Sequence, residues 1–187
     1  DRDYVDIKAK GLAQAIGSSL PNGADIINFS LTWYGGYWKS IERAIDSAFN
    51  YGRDGKGTLI ISSVGNYNDI TRHHIFWPKS KDNVFTVGAV DNNDVWYNYS
   101  CFMDADVDLI APSGPLYSFG DPHSGDGVWT TDRMGLLGDN PNGFDGCLPE
   151  NDIDYRCTFG GTSAAAPLVT GTAALVLSKR PELTAAE

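Results

Sequence analysis

Phe159-Gly160-Gly161-Thr162-Ser163-Ala164-Ala165-Ala166-Pro167, continued by LVTGTAALVLSKRP through Pro181, decides how this chain folds. It is a glycine-rich turn that runs straight into a helix. Ala164, Ala165, Ala166, Val169, Ala173, Ala174, Leu175, Val176 and Leu177 make the helix apolar and mostly small. Such a run is too apolar for a surface helix and too short to cross a bilayer, so it predicts a buried core helix. Ser163 stands at its start, and two roles fit that place. One is an N-cap, whose hydroxyl satisfies a free backbone N–H. The other is a nucleophile, because the free N–H groups and the helix dipole there favour developing negative charge. Pro167 falls in the first turns, and Gly171 allows close packing.

The segments upstream of this helix alternate between two periodicities. Tyr4–Leu20 places its apolar residues at roughly helical spacing, and Pro21-Asn22-Gly23 stops it. Ala24–Leu31 is a short, partly β-branched apolar run and predicts a buried strand. After a loop over Thr32–Gly36, Trp38–Tyr51 is amphipathic, with Ile41, Ala44, Ile45, Ala48 and Phe49 on one face. Thr58–Val64, Asn83–Val90 and Val107–Pro112 predict further buried strands, and Gly127–Thr131 one more. Helix, strand, helix, strand is the order of an α/β fold: a parallel sheet flanked by helices. Ligands of such sheets sit beyond the C-terminal strand ends, where the loops from Ser30 and Gly65 leave. Residues 113–158 are rich in Gly, Asp, Pro and Asn and predict no other regular element. A loop of that length is usually functional or mobile.

The chain has 187 residues, enough for a substantial core, and 42% of them are hydrophobic, which excludes a disordered chain. It reads as a single partial domain over residues 1–187. The net charge of −10 disfavours nucleic acid and anionic membranes as partners. No stretch approaches a transmembrane span, and DRDYVDIKAK lacks the layout of a signal peptide. Both ends read as interior to a longer polypeptide: residue 1 falls at a helix, and Glu187 follows a helix-start signal at Pro181–Thr184. The three cysteines, Cys101, Cys147 and Cys157, cannot all pair internally. A 147–157 bridge, a 101–157 bridge and three free thiols all remain open.

GGTSAAAPLVTGTAALVL resembles the nucleophile segment of the subtilisin-like serine peptidases, the subtilases. LIISSVGN, the Trp77-Pro78 pair, NVFTVGAVDNND and ADIINFSL are similar to further segments of the same family. The resemblance covers nearly the whole chain and implies a subtilisin-like sheet whose first strands are absent. It implies peptide-bond hydrolysis through an acyl-enzyme, with Ser163 as nucleophile. Asn66, with the Ser163 N–H, would hold the oxyanion. Read without the family, Gly65-Asn66 is simply a tight turn. Ser30, Leu31 and Thr32 would form one wall of the primary pocket, and Ser63, Val64 and Gly65 the other, with backbone edges able to pair with an extended peptide. Phe76 would shorten that pocket, or else is plain core. Ser163 is not set in a G-x-S-x-G elbow, since Ala165 follows two residues on.

The resemblance also marks what this sequence lacks. The family's triad runs Asp, His, Ser in chain order, and neither its Asp nor its His motif is present. His73, His74 and His123 stand in other contexts and read as solvent-facing. Polypeptide substrate and the missing N-terminal part of the same catalytic domain are therefore the implied partners, and a chain without its base should be nearly inert. The acidic composition is compatible with an extracellular or secreted protein. No catalytic metal is implied, and there is no H-E-x-x-H or Cys-x-x-Cys motif. A structural Ca²⁺ on Asp108 with carbonyls near Asp82 and Val84 is one reading of a carboxylate in an apolar strand; a hydrogen-bonded or edge-exposed Asp108 is the other. Asp91-Asn92-Asn93-Asp94 reads as a solvated turn rather than a cation loop. The rival readings of function are a subtilase-like domain that has lost its base and binds peptides, and an unrelated α/β protein in which Ser163 only caps a helix.

Overall fold

A computed structural model describes residues 2–31, 38–67, 77–102, 107–116, 127–140 and 152–187. The elements are α1 (Arg2–Gly17), β1 (Ile26–Phe29), α2 (Lys39–Gly55), β2 (Leu59–Ser63), β3 (Phe85–Val90), β4 (Leu109–Pro112), β5 (Val128–Thr131), β6 (Tyr155–Phe159) and α3 (Thr162–Lys179). Strands β1 to β4 form a four-stranded sheet in that order, and each neighbouring pair is parallel. This is the expected α/β arrangement.

The two faces of the sheet carry different cores. Because side chains alternate along a strand, Ile60 and Ile61 point to opposite sides. Ile60 and Phe29 join Ala9 and Ile16 of α1 and Ile41, Ile45 and Ala48 of α2. The spacing of the α2 residues is the amphipathic pattern read from the sequence, and regular helical geometry ends where Gly52, Arg53 and Asp54 leave it. On the other side Ile61, Val87, Ala89 and Ala111 pack with Ala165 and Ala166 of α3 and with the stacked pair Tyr97 and Tyr99.

Three sequence expectations need correction. First, α3 is buried at Thr162 and Ala164–Ala166 but not along its length: Leu175 is 71% exposed. One side of the helix rests on the sheet through Val169 and Ala173, and no layer among the described residues covers the other. Second, the region read as irregular contains β6, which pairs antiparallel with β5. Its partner lies far back in sequence, so local pattern gave no sign of it. Third, Cys101 is a buried free thiol while Cys157 is disulfide-bonded. The 101–157 pairing and the all-reduced state are both removed; Cys147 lies outside the described residues. The Asp91–Asp94 segment is a turn, closed by Asp91 Oδ1 accepting the N–H groups of Asn93 and Val95 at 2.8 and 2.9 Å. No helix among the described residues is long and apolar enough to cross a membrane.

Candidate active site

β1 and β2 run parallel with Phe29 opposite Ser62, so Ser30 and Gly65 leave the sheet at the same end. The start of α3 is brought to that end by Gly161, which has φ 81°. Gly161 is the N-cap and Ser163 the second helical residue, so Ser163 does not cap the helix. The capping group comes from the β2 loop instead. Asn66 Oδ1 accepts the backbone N–H and the hydroxyl of Thr162, both at 2.8 Å. Thr162 Oγ1 in turn accepts the Gly65 N–H at 3.2 Å.

These bonds fix the orientation of the Asn66 carboxamide. An N–H can only donate, so the atom facing Thr162 is Oδ1 and Nδ2 faces away. It faces Gly161: a Cβ there would lie 3.0 Å from Nδ2. Nδ2 donates to none of the described residues. Nor does the Ser163 N–H find an acceptor among them, as befits the first turn of a helix. Two oriented donors, Asn66 Nδ2 and the Ser163 N–H, thus stand unspent among the described residues at the start of α3, its positive end.

Ser163 is half-buried. Its Oγ donates to the Ser30 carbonyl at 3.4 Å, and Ser30 Oγ donates to the Ser163 carbonyl at 3.0 Å. A carbonyl cannot take the proton of a serine, so no described residue acts as base. His73, His74 and His123 lie outside the described residues, as do Thr32 and Phe76. Leu31 is exposed beside Ser30. Ser63, Val64 and Gly65 are buried, with Val64 packed against Cys101. Sequence reading passed over Thr162, Asn28 and Ser113. The last anchors the turn through its hydroxyl, which donates to the Gly161 carbonyl at 2.6 Å.

Behind Gly65 lie two buried ionisable groups. A Cβ on Gly65 would sit 3.4 Å from Cys101 Sγ and 3.8 Å from Lys79 Nζ. Burial pulls the Lys79 ammonium down from 10.5 to about 8, against the pull of the Cys101 thiolate. Burial pushes the Cys101 thiol up from 9.0 to about 11, against Lys79 and a backbone hydrogen bond with Tyr67. Between pH 8 and 9 the unfolded chain holds the Lys79 proton that the folded chain releases, so stability rises with pH by roughly 1 kcal/mol over that unit. Above pH 9 the unfolded chain loses the Cys101 proton first, which opposes the rise. Melting temperature should therefore climb from pH 8 to 9 and then flatten, and Lys79→Met should abolish the climb.

Asp108 is exposed and hydrogen-bonded, as the alternative to a Ca²⁺ ligand had it. Its Oδ2 accepts the N–H and hydroxyl of Thr86 at 2.7 and 2.9 Å, and no group of three or more His, Cys, Asp or Glu among the described residues could hold an ion.

The sequence profile of the subtilase family, Peptidase_S8, matches residues 4–187. The chain belongs to the subtilase family. Subtilase relatives include a calcium-dependent protease of Nostoc sp., 34% identical over 177 residues, which are 87% of this chain and 25% of that protein. Subtilisin DY of Bacillus licheniformis is 29% identical over 89% of this chain and 47% of its own length. An extracellular basic protease of Dichelobacter nodosus is 32% identical over 84% of this chain and 21% of its own. Among solved structures, a lanthipeptide protease superposes with a TM-score of 0.66 at 25% identity, covering 93% of this chain and 53% of that one. The prenylagaramide maturation protease gives 0.60 at 27% identity, over 93% and 51%. The subtilase chain thus spans from a fifth to about half of the length of these five proteins.

Proposed function

We propose that this chain is the nucleophile-bearing part of one subtilase catalytic domain, a serine endopeptidase that hydrolyses polypeptides through an acyl-enzyme on Ser163. The observation that carries this reading is the Asn66 carboxamide. Its oxygen is consumed by Thr162 at 2.8 Å, and its N–H₂ is left for a ligand. Ser163 Oγ attacks the scissile carbonyl, and its proton passes to a His that lies, with the Asp that orients it, in polypeptide outside this chain. The carbonyl oxygen takes the negative charge and receives hydrogen bonds from Asn66 Nδ2 and the Ser163 N–H. Collapse of that intermediate expels the amine, and water then releases the acyl group. Ser30, Leu31 and Thr32 border the substrate on one side. Ser63, Val64 and Gly65 border it on the other, through backbone rather than side chains. The extracellular relative and the acidic composition support a secreted protein.

A fluorophosphonate probe, which phosphonylates an activated serine, tests the reading. The whole protein should label at Ser163, the Ser163→Ala variant should not, and this chain alone should label slowly or not at all. A folded whole protein that takes no probe would point to the rival reading, a peptide-binding domain without a base. That rival is favoured by one feature, the Ser163 hydroxyl resting on a carbonyl.

A further inference from the structure

The carbonyl of Ser163 is orphaned by its own helix. Four residues on stands Pro167, inside α3, which has no N–H to give. The Ser30 hydroxyl fills the gap, donating at 3.0 Å. Ser30 Oγ has a single proton, and a carbonyl can only accept, so that proton points at Ser163. The Ser30 oxygen must then accept from its other neighbour, Asn28, whose Nδ2 lies 3.0 Å away. This orients the Asn28 carboxamide too. Its Oδ1 faces Thr170, whose hydroxyl lies 3.2 Å from it and 2.9 Å from the Ala166 carbonyl. The row of bonds leaves α3 at Thr170, crosses the end of β1, and returns to α3 at Ser163.

We propose that Asn28 is a positioning residue: it aims the Ser30 hydroxyl at the Ser163 carbonyl and so holds the backbone of Ser163 against the end of β1. The inference rests on Ser163 being the nucleophile. Asn28 acts only through Ser30, and Pro167 is what makes the arrangement necessary, since any other residue there would supply the helical N–H. A carboxylate at position 28 would reverse the order. It would accept the Ser30 proton, and the Ser163 carbonyl would lose its donor.

The test measures the rate of fluorophosphonate labelling and the melting temperature of the whole protein. Asn28→Asp, isosteric and on an exposed residue, should label about tenfold more slowly, the loss of roughly one hydrogen bond's worth of positioning, with its melting temperature lowered by no more than about 4 °C. Ser30→Ala should slow labelling alike, and the double variant should be no slower than Ser30→Ala alone. Adding Pro167→Ala to Asn28→Asp should restore most of the rate, because the helix then supplies the missing donor. Multiplying losses in the double variant, or an unchanged rate in Asn28→Asp, would overturn the proposal. A wild-type protein that takes no probe would instead sink the peptidase reading. The relay is then judged on the ¹³C shift of the Ser163 carbonyl: an upfield move in Asn28→Asp supports it, and no move overturns it.

Discussion

Asn66→Asp should leave the fold standing and slow acylation of Ser163 by about 10²–10³-fold, the range known for such a donor in a subtilisin. The substitution separates two jobs held by one side chain. A carboxylate keeps the oxygen that accepts the Thr162 N–H and hydroxyl at 2.8 Å, so the start of α3 stays capped. At the position of Nδ2 it puts a second acceptor, which carries charge of the same sign as the oxyanion. Asn66→Ala would lose both jobs and could not tell them apart. The measurement is the second-order labelling rate of the whole protein, with a thermal melt beside it. A melt unchanged and a rate down by the stated range is the expected pair. A rate within twofold of wild type would remove Asn66 from the oxyanion site.

Gly161→Ala should be the most damaging change to the turn itself. At φ 81° and ψ 166° the backbone lies in a region essentially confined to glycine, where a side chain costs about 1–3 kcal/mol. For a chain of this size that corresponds to a fall of roughly 2–12 °C in melting temperature. The new Cβ would also stand 3.0 Å from Asn66 Nδ2, closer than most real Cβ contacts, with the Leu116 side chain at 3.4 Å. The carboxamide has little room to yield, since its oxygen is held by Thr162. Displacement of that donor should slow labelling by at least about tenfold, because placement errors well under 1 Å matter at a reacting centre. A variant that melts lower yet labels at the wild-type rate would show that the turn tolerates the shift.

Much of this site was legible because its chemistry is concentrated in contiguous runs. GGTSAAAP contains the turn, Ser163 and the start of the helix, and the strand before Asn66 ends where its apolar run ends. What was not legible depends on pairs distant in sequence. β6 is short and takes its meaning from β5. Thr162 looks like a spacer until Asn66, 96 positions back, is seen to bond it. Asn28 sits in an apolar strand as a lone polar residue, and its bonds to Ser30 and to Thr170 on α3 exist only in the fold. The surface was misjudged for a simpler reason: α3 has the composition of a core helix, and composition does not say whether a covering layer is at hand.

The partners of the nucleophile turn also set an order in time. Ser30 precedes Ser163 by 133 residues, and Asn66 precedes Thr162 by 96. During synthesis the strands and their loops leave the ribosome first, and chains fold largely from the N-terminus. Asn66 Nδ2 and the Ser163 N–H, the two donors of the proposed site, come together only when the turn at Gly161 arrives, because the Thr162 bonds and the start of α3 both depend on it. Closing such long loops is slow compared with forming local structure. On the proposed reading, a nascent chain of this design would gain its site only when most of this sequence had been made. Its competence is delayed by the order of its own sequence.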